Sequence, residues 1–155
     1  MSELNHRYAK AEDAALLFRW ANDPEVRKAS FHSTAITWPE HLQWLERRLG
    51  SGSSLLLIFE KESSAVGIVR FEIGEEGAII GISIDEAARG QGYGKQMIEQ
   101  ACMHFRGLHQ LPVLAYIKKD NPSSVRSFER AGFRFLQEDE VNGIPCFLYI
   151  LYGNE

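Results

Sequence analysis

The sequence predicts an α+β (mixed α/β) domain with one central, mostly antiparallel sheet and about four flanking helices. Three consecutive strand-like runs, separated by the short turns "KESS" and "GEEG", are typical of an antiparallel meander. Apolar residues at helical spacing occur both before and after the meander. Two further strand-like runs close the chain, and a length of 155 residues suits one domain over residues 1–155. This order of elements predicts helices that pack against a single sheet.

The chain before the meander is predicted to form one strand and two helices. Residues 6–10 are the strand, and residues 13–21 carry one apolar stripe at helical spacing. The segment 23–37 is predicted to be a loop. The second helix begins at "TWPE" (37–40), which matches a capping box with a proline in the first turn, and it ends at Gly50.

The meander and the elements after it follow from residue alternation and from turn residues. The three meander strands are predicted at 54–60, 65–73 and 78–84. The later elements are a central helix at 92–106, a buried strand at 112–118, a helix capped by Asn121, and two closing strands at 134–138 and 144–152.

The charge and composition of the chain exclude several function classes. Lys and Arg total 17 against 21 Asp and Glu, a net charge of −4 without a basic run, so we expect no nucleic acid partner. The longest apolar run, 55–59, is too short to span a membrane, and the N-terminus has no signal-peptide pattern. Two cysteines fit a reducing compartment. We therefore expect a cytoplasmic monomer or homodimer.

A glycine-rich turn, "RGQGYG", lies directly before the central helix. Unpaired amides and the helix dipole make such a turn an anion site, and phosphate is the usual anion. The P-loop pattern fails because Arg89 and Gln96 replace its glycine and its hydroxyl residue, and the dinucleotide pattern fails at Lys95. The pattern Arg/Gln-x-x-Gly-x-Gly/Ala is matched by Arg89, Gly92 and Gly94.

That pattern follows a meander strand, and the segment "NPSSVRSFERAGF" (121–133) comes later in the chain. On these motifs the sequence resembles the GNAT superfamily of N-acetyltransferases. The resemblance covers essentially the whole chain, because the order of elements is also that of the family. It implies a GNAT-like fold, acetyl-coenzyme A as cosubstrate, a small-molecule amine as acceptor and no metal.

The resemblance also implies where the cofactor lies. Strand 78–84 is expected to splay from strand 112–118, with the pantetheine arm on the backbone of 82–84 and the pyrophosphate on the amides of 89–95. Asn121 touches the pantetheine side in the family, and it fits equally well as a helix N-cap. The implied cofactor-binding residues are Ile82, Ser83, Ile84, Arg89, Gly90, Gln91, Gly92, Tyr93, Gly94, Lys95, Asn121 and Phe128.

Acetyl transfer needs an acceptor for the ammonium proton, donors for the tetrahedral oxyanion and, in many enzymes, an acid for the thiolate. Many family members have a tyrosine acid seven residues after the asparagine, but this chain has Phe128 there. A phenyl ring has no proton to donate, and a coenzyme A thiolate leaves readily without an acid. Tyr116 and Tyr149 are the alternatives, if the fold brings either close.

Glu72, near the end of the second meander strand, is the first candidate for the general base, because related enzymes often have a carboxylate there. Alternation places Arg70 on the same face, so a surface ion pair of Glu72 with Arg70 is the other interpretation. Ser83 is a second catalytic candidate. His32 and His41 are further candidate bases, since imidazole titrates near neutral pH.

The acceptor is expected to bind at residues 20–49, which hold all three tryptophans. The phrase "WANDPEVRKASF" resembles GNAT enzymes of the nonulosonic acid pathways, which acetylate the 4-amino group of nucleotide-linked amino sugars. Arg27 and Lys28 would then meet the diphosphate. The candidate substrate-binding residues are Arg27, His32, His41 and Trp44.

Similar sequence patterns also occur in GNAT enzymes that act on polyamines and on protein N-termini. Acetylation of a polyamine and acetylation of a protein N-terminus therefore remain alternative functions. A third alternative, from another class, is a catalytically silent module that binds coenzyme A. The phenylalanine at the usual tyrosine position favours that third alternative, while the intact glycine turn fits every one of these functions.

Overall fold

The computed structural model describes residues 4–153, and these form one seven-stranded sheet in the order β1-β2-β3-β4-β5-β7-β6. The strands are β1 (Asn5–Tyr8), β2 (Ser54–Lys61), β3 (Ser64–Ile73), β4 (Ala78–Ile84), β5 (Val113–Lys118), β6 (Arg134–Val141) and β7 (Ile144–Leu151). The α-helices are α1 (Ala14–Ala21), α2 (Pro24–Ala29), α3 (Trp38–Leu49), α4 (Tyr93–Leu108) and α5 (Pro122–Arg130). Short 3₁₀ turns at Ala11–Asp13 and Glu86–Ala88 precede α1 and follow β4.

The sheet is antiparallel except between β4 and β5. These two strands run parallel and pair only at Ala78 with Val113 and at Ile79 with Leu114. Beyond those two pairs the strands separate, and the rest of β4 has β3 as its only strand neighbour among residues 4–153. The structure therefore confirms the mostly antiparallel sheet and the splayed strands, and the splay opens a cleft in the middle of the sheet.

The prediction of a loop over 23–37 is wrong at its start, where α2 forms. Asp23 is the N-cap of α2, because its Oδ1 accepts hydrogen bonds from the amides of Glu25 at 2.9 Å and Val26 at 3.4 Å. Pro24 occupies the first turn, where a missing amide proton has no cost. The same "NDP" residues that end α1 thus begin another helix, and the described chain has five α-helices instead of about four.

The two faces of the sheet are covered unequally. Helix α4 packs on one face and contributes Met97, Ile98 and Phe105, all 0% exposed, to the larger core. On the other face a smaller core, with α1 and α3, reaches only as far as Ile68 of β3. Ile79 of the neighbouring β4 is 45% exposed, so this face stays open next to the cleft. No helix within residues 4–153 is long and apolar enough to cross a membrane.

Candidate functional site

The cleft between β4 and β5 holds a cavity of about 840 Å³, within the usual range for a ligand site. Backbone and side chains of 79–84 form one wall, and 116–118 form the other. Residues 25–31 lie across the opening, and Lys118 Nζ donates a hydrogen bond to the Lys28 carbonyl oxygen at 2.8 Å. The region of α2 is therefore tied to β5 across the cleft.

The glycine turn at the start of α4 leaves open space beside its backbone. Gly90 and Gly92 have φ values of +75° and +80°, which L-residues with a side chain rarely adopt. No atom lies within 4 Å of a Cβ built at either glycine. Gly94 differs, because a Cβ there would lie 3.0 Å from Ser127 Oγ on α5. The first two glycines shape the turn, and the third allows α4 to approach α5.

The side chains around this turn bond to the protein. Gln91 donates to the Ala87 carbonyl oxygen at 3.1 Å, and the Tyr93 hydroxyl accepts from Lys61 Nζ at 2.9 Å. Lys95 lies 3.8 Å from Glu99 one helical turn later. These side chains therefore have protein partners, and the open space of the turn lies beside Gly90 and Gly92.

Arg89 connects the turn to two other elements. Its Nε donates to the Ile84 carbonyl oxygen at 3.1 Å, and its Nη2 donates to Asp23 Oδ1 at 2.7 Å. Burial raises the pKa of the Asp23 carboxyl, but hydrogen bonds from Arg89 and from the Glu25 amide outweigh burial and hold the pKa below its usual value. The cap of α2 is thus also bonded to the glycine turn through Arg89.

Asn121 and Phe128 lie on α5 and its cap, beside the same cleft. Asn121 Oδ1 accepts from the Ser124 amide at 3.2 Å, so this side chain caps α5. Phe128 is 3% exposed and meets Phe133 edge-on, with ring centroids 5.0 Å apart. The position of the usual tyrosine acid therefore holds an apolar ring that is packed into the core.

Of the two alternative tyrosines, only Tyr116 lines the cleft. Burial, and then the nearby Asp139 carboxylate, raise the pKa of Tyr116 above its usual value. Tyr149 is 5% exposed and belongs to the larger core on the α4 side of the sheet, where its hydroxyl donates to Glu129 Oε2 at 2.9 Å. The fold therefore brings one of these two hydroxyl groups to the cleft and keeps the other away from it.

A second cavity, which we call the acceptor cavity, lies between α1, α3 and β3 and measures about 370 Å³. Its aromatic walls are Trp20, His41 and Trp44. Four of its lining residues also line the cleft, namely Val26, Arg27, Arg70 and Ser83. The two cavities therefore meet beside the part of β4 that has left β5.

Arg70 lies at this junction. Its Nη1 donates to Ser83 Oγ at 3.1 Å, and Ser83 is 4% exposed. The guanidinium lies over Gly81, where a Cβ would come within 2.7 Å of Arg70 Nη2. Burial, and then the nearby Arg27, lower the pKa of Arg70 to about 10. Within the described residues no carboxylate lies within ion-pair distance of Arg70.

His41 is a buried wall of the acceptor cavity, 2% exposed, and it stacks on Trp44 with ring centroids 5.8 Å apart. Its Nε2 lies 3.0 Å from the Ala14 carbonyl oxygen. Since a carbonyl only accepts, Nε2 carries the proton and Nδ1 keeps its lone pair. Burial lowers the pKa of His41, partly offset by the bond to Ala14, so the ring is neutral at pH 7.

The structure does not bring Glu72 or His32 to either cavity. Glu72 is on the same face as Arg70, but it accepts from Arg48 Nη1 at 2.8 Å, and its side chain is 58% exposed. The surface ion pair of Glu72 is thus with Arg48 of α3. His32 is exposed and lies 3.1 Å from Asn142 Nδ2.

Arg27 lines both cavities, but its guanidinium is engaged by backbone. It donates to the carbonyl oxygens of Ala21 at 2.7 Å, His32 at 2.6 Å and Thr34 at 3.2 Å. Burial lowers the pKa of Arg27 below its usual value. These bonds hold the segment after α2 in place and leave fewer donors for a bound diphosphate.

The residue pattern of β3 predicts for Arg70 only a pairing with Glu72. Its signal was nevertheless present, because Arg70 is a charged residue inside the apolar run "AVGIVRFEI". Lys, Arg and carboxylates are rarely buried without a partner, so an arginine within a buried strand indicates a specific partner or a functional site. Arg47 and Glu40, which also line the acceptor cavity, lie in an ordinary charged helix pattern and had no such signal.

The comparison with known proteins assigns the chain to a family. Residues 4–134 match the family model described as the Acetyltransferase (GNAT) domain. The chain belongs to the GNAT acetyltransferase family. This result confirms the family and the acetyltransferase class that the glycine turn predicted.

A curated relative of this GNAT domain is the mycothiol acetyltransferase of Mycobacteroides abscessus, which is 33% identical over 67 residues. The match covers 43% of this chain and 23% of the relative, so this chain spans less than a quarter of that relative's length. This similarity is local, and it adds support for the family without extending to the whole relative.

Similar solved structures share the fold at low sequence identity. The spermidine N-acetyltransferase from Vibrio cholerae, in complex with coenzyme A and spermine, has a TM-score of 0.83 and 17% identity, covering 95% of this chain and 92% of that one. RimL, a ribosomal alpha-N-protein acetyltransferase in complex with coenzyme A, has a TM-score of 0.83 and 16% identity, covering 96% and 93%. An aminoglycoside acetyltransferase in complex with coenzyme A has a TM-score of 0.81 and 16% identity, covering 97% and 95%.

Proposed function

We propose that the protein transfers the acetyl group of acetyl-coenzyme A to a primary amine of a small molecule. The single observation that carries this proposal is the junction of the two cavities at Arg70 and Ser83. A cofactor in the cleft would place its thioester beside a separate cavity of about 370 Å³ that can hold the amine. Acyl transfer between two bound molecules needs this arrangement, because the reacting atoms must approach to about 3–3.5 Å.

The cofactor would be held mainly by backbone. Open space lies beside Gly90 and Gly92 at the positive end of α4, which suits a pyrophosphate on the amides of 89–95. The unpaired edge of β4 at 80–84 offers amides and carbonyls to the pantetheine arm. Phe128 would pack against that arm, and its phenyl ring cannot act as a general acid.

Proton transfer in this proposal begins at His41. The neutral ring has a lone pair on Nδ1, and the low pKa keeps the ring neutral at pH 7. It can therefore accept the ammonium proton, directly or through water. Ser83 Oγ accepts from Arg70, so its own hydroxyl proton is free to donate to the developing oxyanion. Glu72 lies outside both cavities and has no part in this scheme.

For the acceptor we propose an amino sugar carried on a nucleotide. His41 and Trp44 provide flat surfaces for a sugar, and Arg47 and Arg70 provide positive charge for phosphate. Glu40 is the one acidic residue in the lining, and its Oε1 already accepts from the amide and hydroxyl of Thr37. A polyamine would need free carboxylates here, so this cavity favours an acceptor with negative charge.

The experiment measures release of coenzyme A thiol with three acceptors in competition. These are a nucleotide-linked 4-amino sugar, spermidine and a peptide with a free N-terminus. We expect the highest kcat/KM for the amino sugar. A higher kcat/KM for spermidine or the peptide would replace the acceptor assignment and keep the acetyltransferase proposal. Binding of coenzyme A without thiol release on any amine would support the silent cofactor-binding module instead.

A further inference from the structure

Arg70 is a charged side chain without a counterion at the meeting point of two cavities. Its one hydrogen bond among the described residues goes to a neutral hydroxyl, Ser83 Oγ, at 3.1 Å. Removing a charge from water is costly unless it is paired and hydrogen-bonded. Arg27, a second half-buried cation, acts on Arg70 strongly enough to lower its pKa further. The free protein therefore has a local excess of positive charge at this junction.

The other polar groups near Arg70 do not relieve this excess. Arg27 donates to three carbonyl oxygens, which carry no net charge, and Glu40 accepts from Thr37 at the start of α3. Arg47, the remaining charged residue of the acceptor cavity, adds a third positive charge. Three guanidinium groups and one carboxylate thus line the acceptor cavity, which leaves its lining with a net positive charge.

We propose that Arg70 is a specificity-determining residue that binds an anionic group of the acceptor, a carboxylate or phosphate a few atoms from the reacting amine. A guanidinium can donate two parallel hydrogen bonds to either anion. Arg70 uses Nη1 for Ser83, and its guanidinium lies over Gly81, where a Cβ would come within 2.7 Å of Nη2. The absence of a side chain at Gly81 lets the guanidinium lie there, and among the described residues no hydrogen bond engages Nη2.

This inference rests on the proposed acetyl transfer, and it limits the acceptors to amines that carry a carboxylate or phosphate group. An anion held by Arg70 fixes one end of the acceptor at the junction of the cavities. The amine at the other end is then directed to the thioester, since both cavities share Arg70 and Ser83. Neutral amines and polyamines lack the group that makes this contact.

The test compares matched acceptors that differ only in the anion. The pairs are glucosamine 6-phosphate with glucosamine, and methionine with methioninamide. For at least one pair we expect the anionic member to have the higher kcat/KM by about 10- to 100-fold, the range for a hydrogen bond to a charged group. The pair that responds identifies the anion as phosphate or carboxylate.

The variants are Arg70→Met, Arg70→Lys and, as matched control, Arg48→Met, which removes an arginine whose partner Glu72 lies outside both cavities. In Arg70→Met the kcat/KM for the anionic acceptor should be close to that for its matched acceptor without the anion. Arg70→Lys should keep part of the preference for the anionic acceptor, and Arg48→Met should keep it in full. A loss of kcat that is equal for both members of every pair would overturn the proposal, because Arg70 would then act on the reaction and not on the acceptor anion. The proposal would also be overturned if the wild-type enzyme had equal kcat/KM for the two acceptors of each pair.

A binding measurement separates failure of this inference from failure of the proposed function. The protein is first saturated with coenzyme A, so that the amides of 89–95 are occupied, and is then titrated calorimetrically with inorganic phosphate or succinate. We expect at least one anion to bind to the wild type and to Arg48→Met, and at least tenfold more weakly to Arg70→Met. If no amine is acetylated, the proposed function fails, and this titration still decides the role of Arg70. Absence of binding, or equal binding to the Arg70→Met protein, would refute it.

Discussion

Gly92 has a left-handed backbone conformation in the glycine turn before α4. A valine there must adopt a φ near +80°, which is an outlier for a β-branched residue, and its side chain would enter the open space beside the amides. We expect Gly92→Val to weaken coenzyme A binding at least tenfold by calorimetry and to cost about 1–2 kcal/mol of stability.

The control for this prediction is Gly107→Val at the other end of the same helix. Gly107 has an ordinary φ and no neighbour within 4 Å of a built Cβ. The same substitution there should leave coenzyme A affinity unchanged. Equal affinity of the folded Gly92→Val protein and the wild type would contradict the placement of the pyrophosphate.

His41 makes the stability of the protein depend on pH in a defined window. Its folded-state pKa lies below the usual 6.5, because burial disfavours the charged ring. Below pH 6.5 the unfolded chain therefore binds a proton that the folded protein does not, and the free energy of unfolding falls as the pH falls. We expect His41→Gln to lose this component, as measured by urea unfolding between pH 7 and 5. His104, whose pKa is also lowered, contributes equally to both proteins.

The same variant tests the catalytic role of His41. If His41 is the base, kcat of His41→Gln should fall by about 100-fold or more, and the acidic limb of the wild-type kcat profile should lie below pH 6.5. A kcat close to that of the wild type, with only the stability profile changed, would make His41 a structural wall of the cavity.

At the scale of elements, Asp23 combines two tasks. It caps α2 and it holds Arg89, which links the glycine turn to that helix. We expect Asp23→Ala to cost about 1 kcal/mol of stability as a lost cap and also to raise the KM for acetyl-coenzyme A several-fold.

Two variants separate these tasks. Asp23→Asn keeps a cap of similar strength but removes the charge that Arg89 binds, so KM should rise with little loss of stability. Thr37→Ala removes the cap of α3 alone and should lower stability with no change in KM. A KM that follows stability across all three variants would show that Arg89 is not anchored for the cofactor.

The whole molecule consists of two parts of one sheet that share little strand pairing. Strands β1 to β4 and strands β5 to β7 are joined by only two register pairs between β4 and β5. A cofactor in the cleft would bind both parts, and it therefore should stabilise the folded state as a whole. At 100 times its Kd the gain is about 2.7 kcal/mol, or roughly 5–10 °C in Tm for a chain of this size.

Hydrogen exchange locates this gain. Amides of β4, β5 and residues 89–95 should become protected when coenzyme A is added, while those of β2, which is paired on both sides, should change little. Protection that rises evenly over the chain would point to binding elsewhere or to general stabilisation of the fold.

The extent to which the fold could be predicted from sequence follows from how local each signal is. The capping box at Thr37 and Glu40, the meander turns and the glycine turn all act within a few residues, and all were recognisable. Helix α2 is harder to predict because "NDP" carries two signals: it fits the end of α1, and an aspartate before a proline is equally a start signal.

The parts of the candidate site that are formed by backbone were predictable from sequence. The parts that depend on which charged side chains pair with each other were not. The turn at 89–95 follows from glycine spacing, and the exposed edge of β4 follows from the resemblance to the GNAT family. The partner of a charged side chain does not follow in this way. Alternation predicts a pairing of Glu72 with Arg70 two residues away, whereas in the structure Arg48 of α3 reaches Glu72 across 24 residues.

The sequence by itself determined most of the elements, the family and the position of the glycine turn, because alternation, caps and glycine positions encode local backbone structure. Only the tertiary structure decided which charges stay unpaired. Asp23 and Arg89 meet across 66 residues, and Arg70 is left with Ser83 at the junction of two cavities. The physical reason is that electrostatic pairing depends on distances in space, which strand register and helix packing set together.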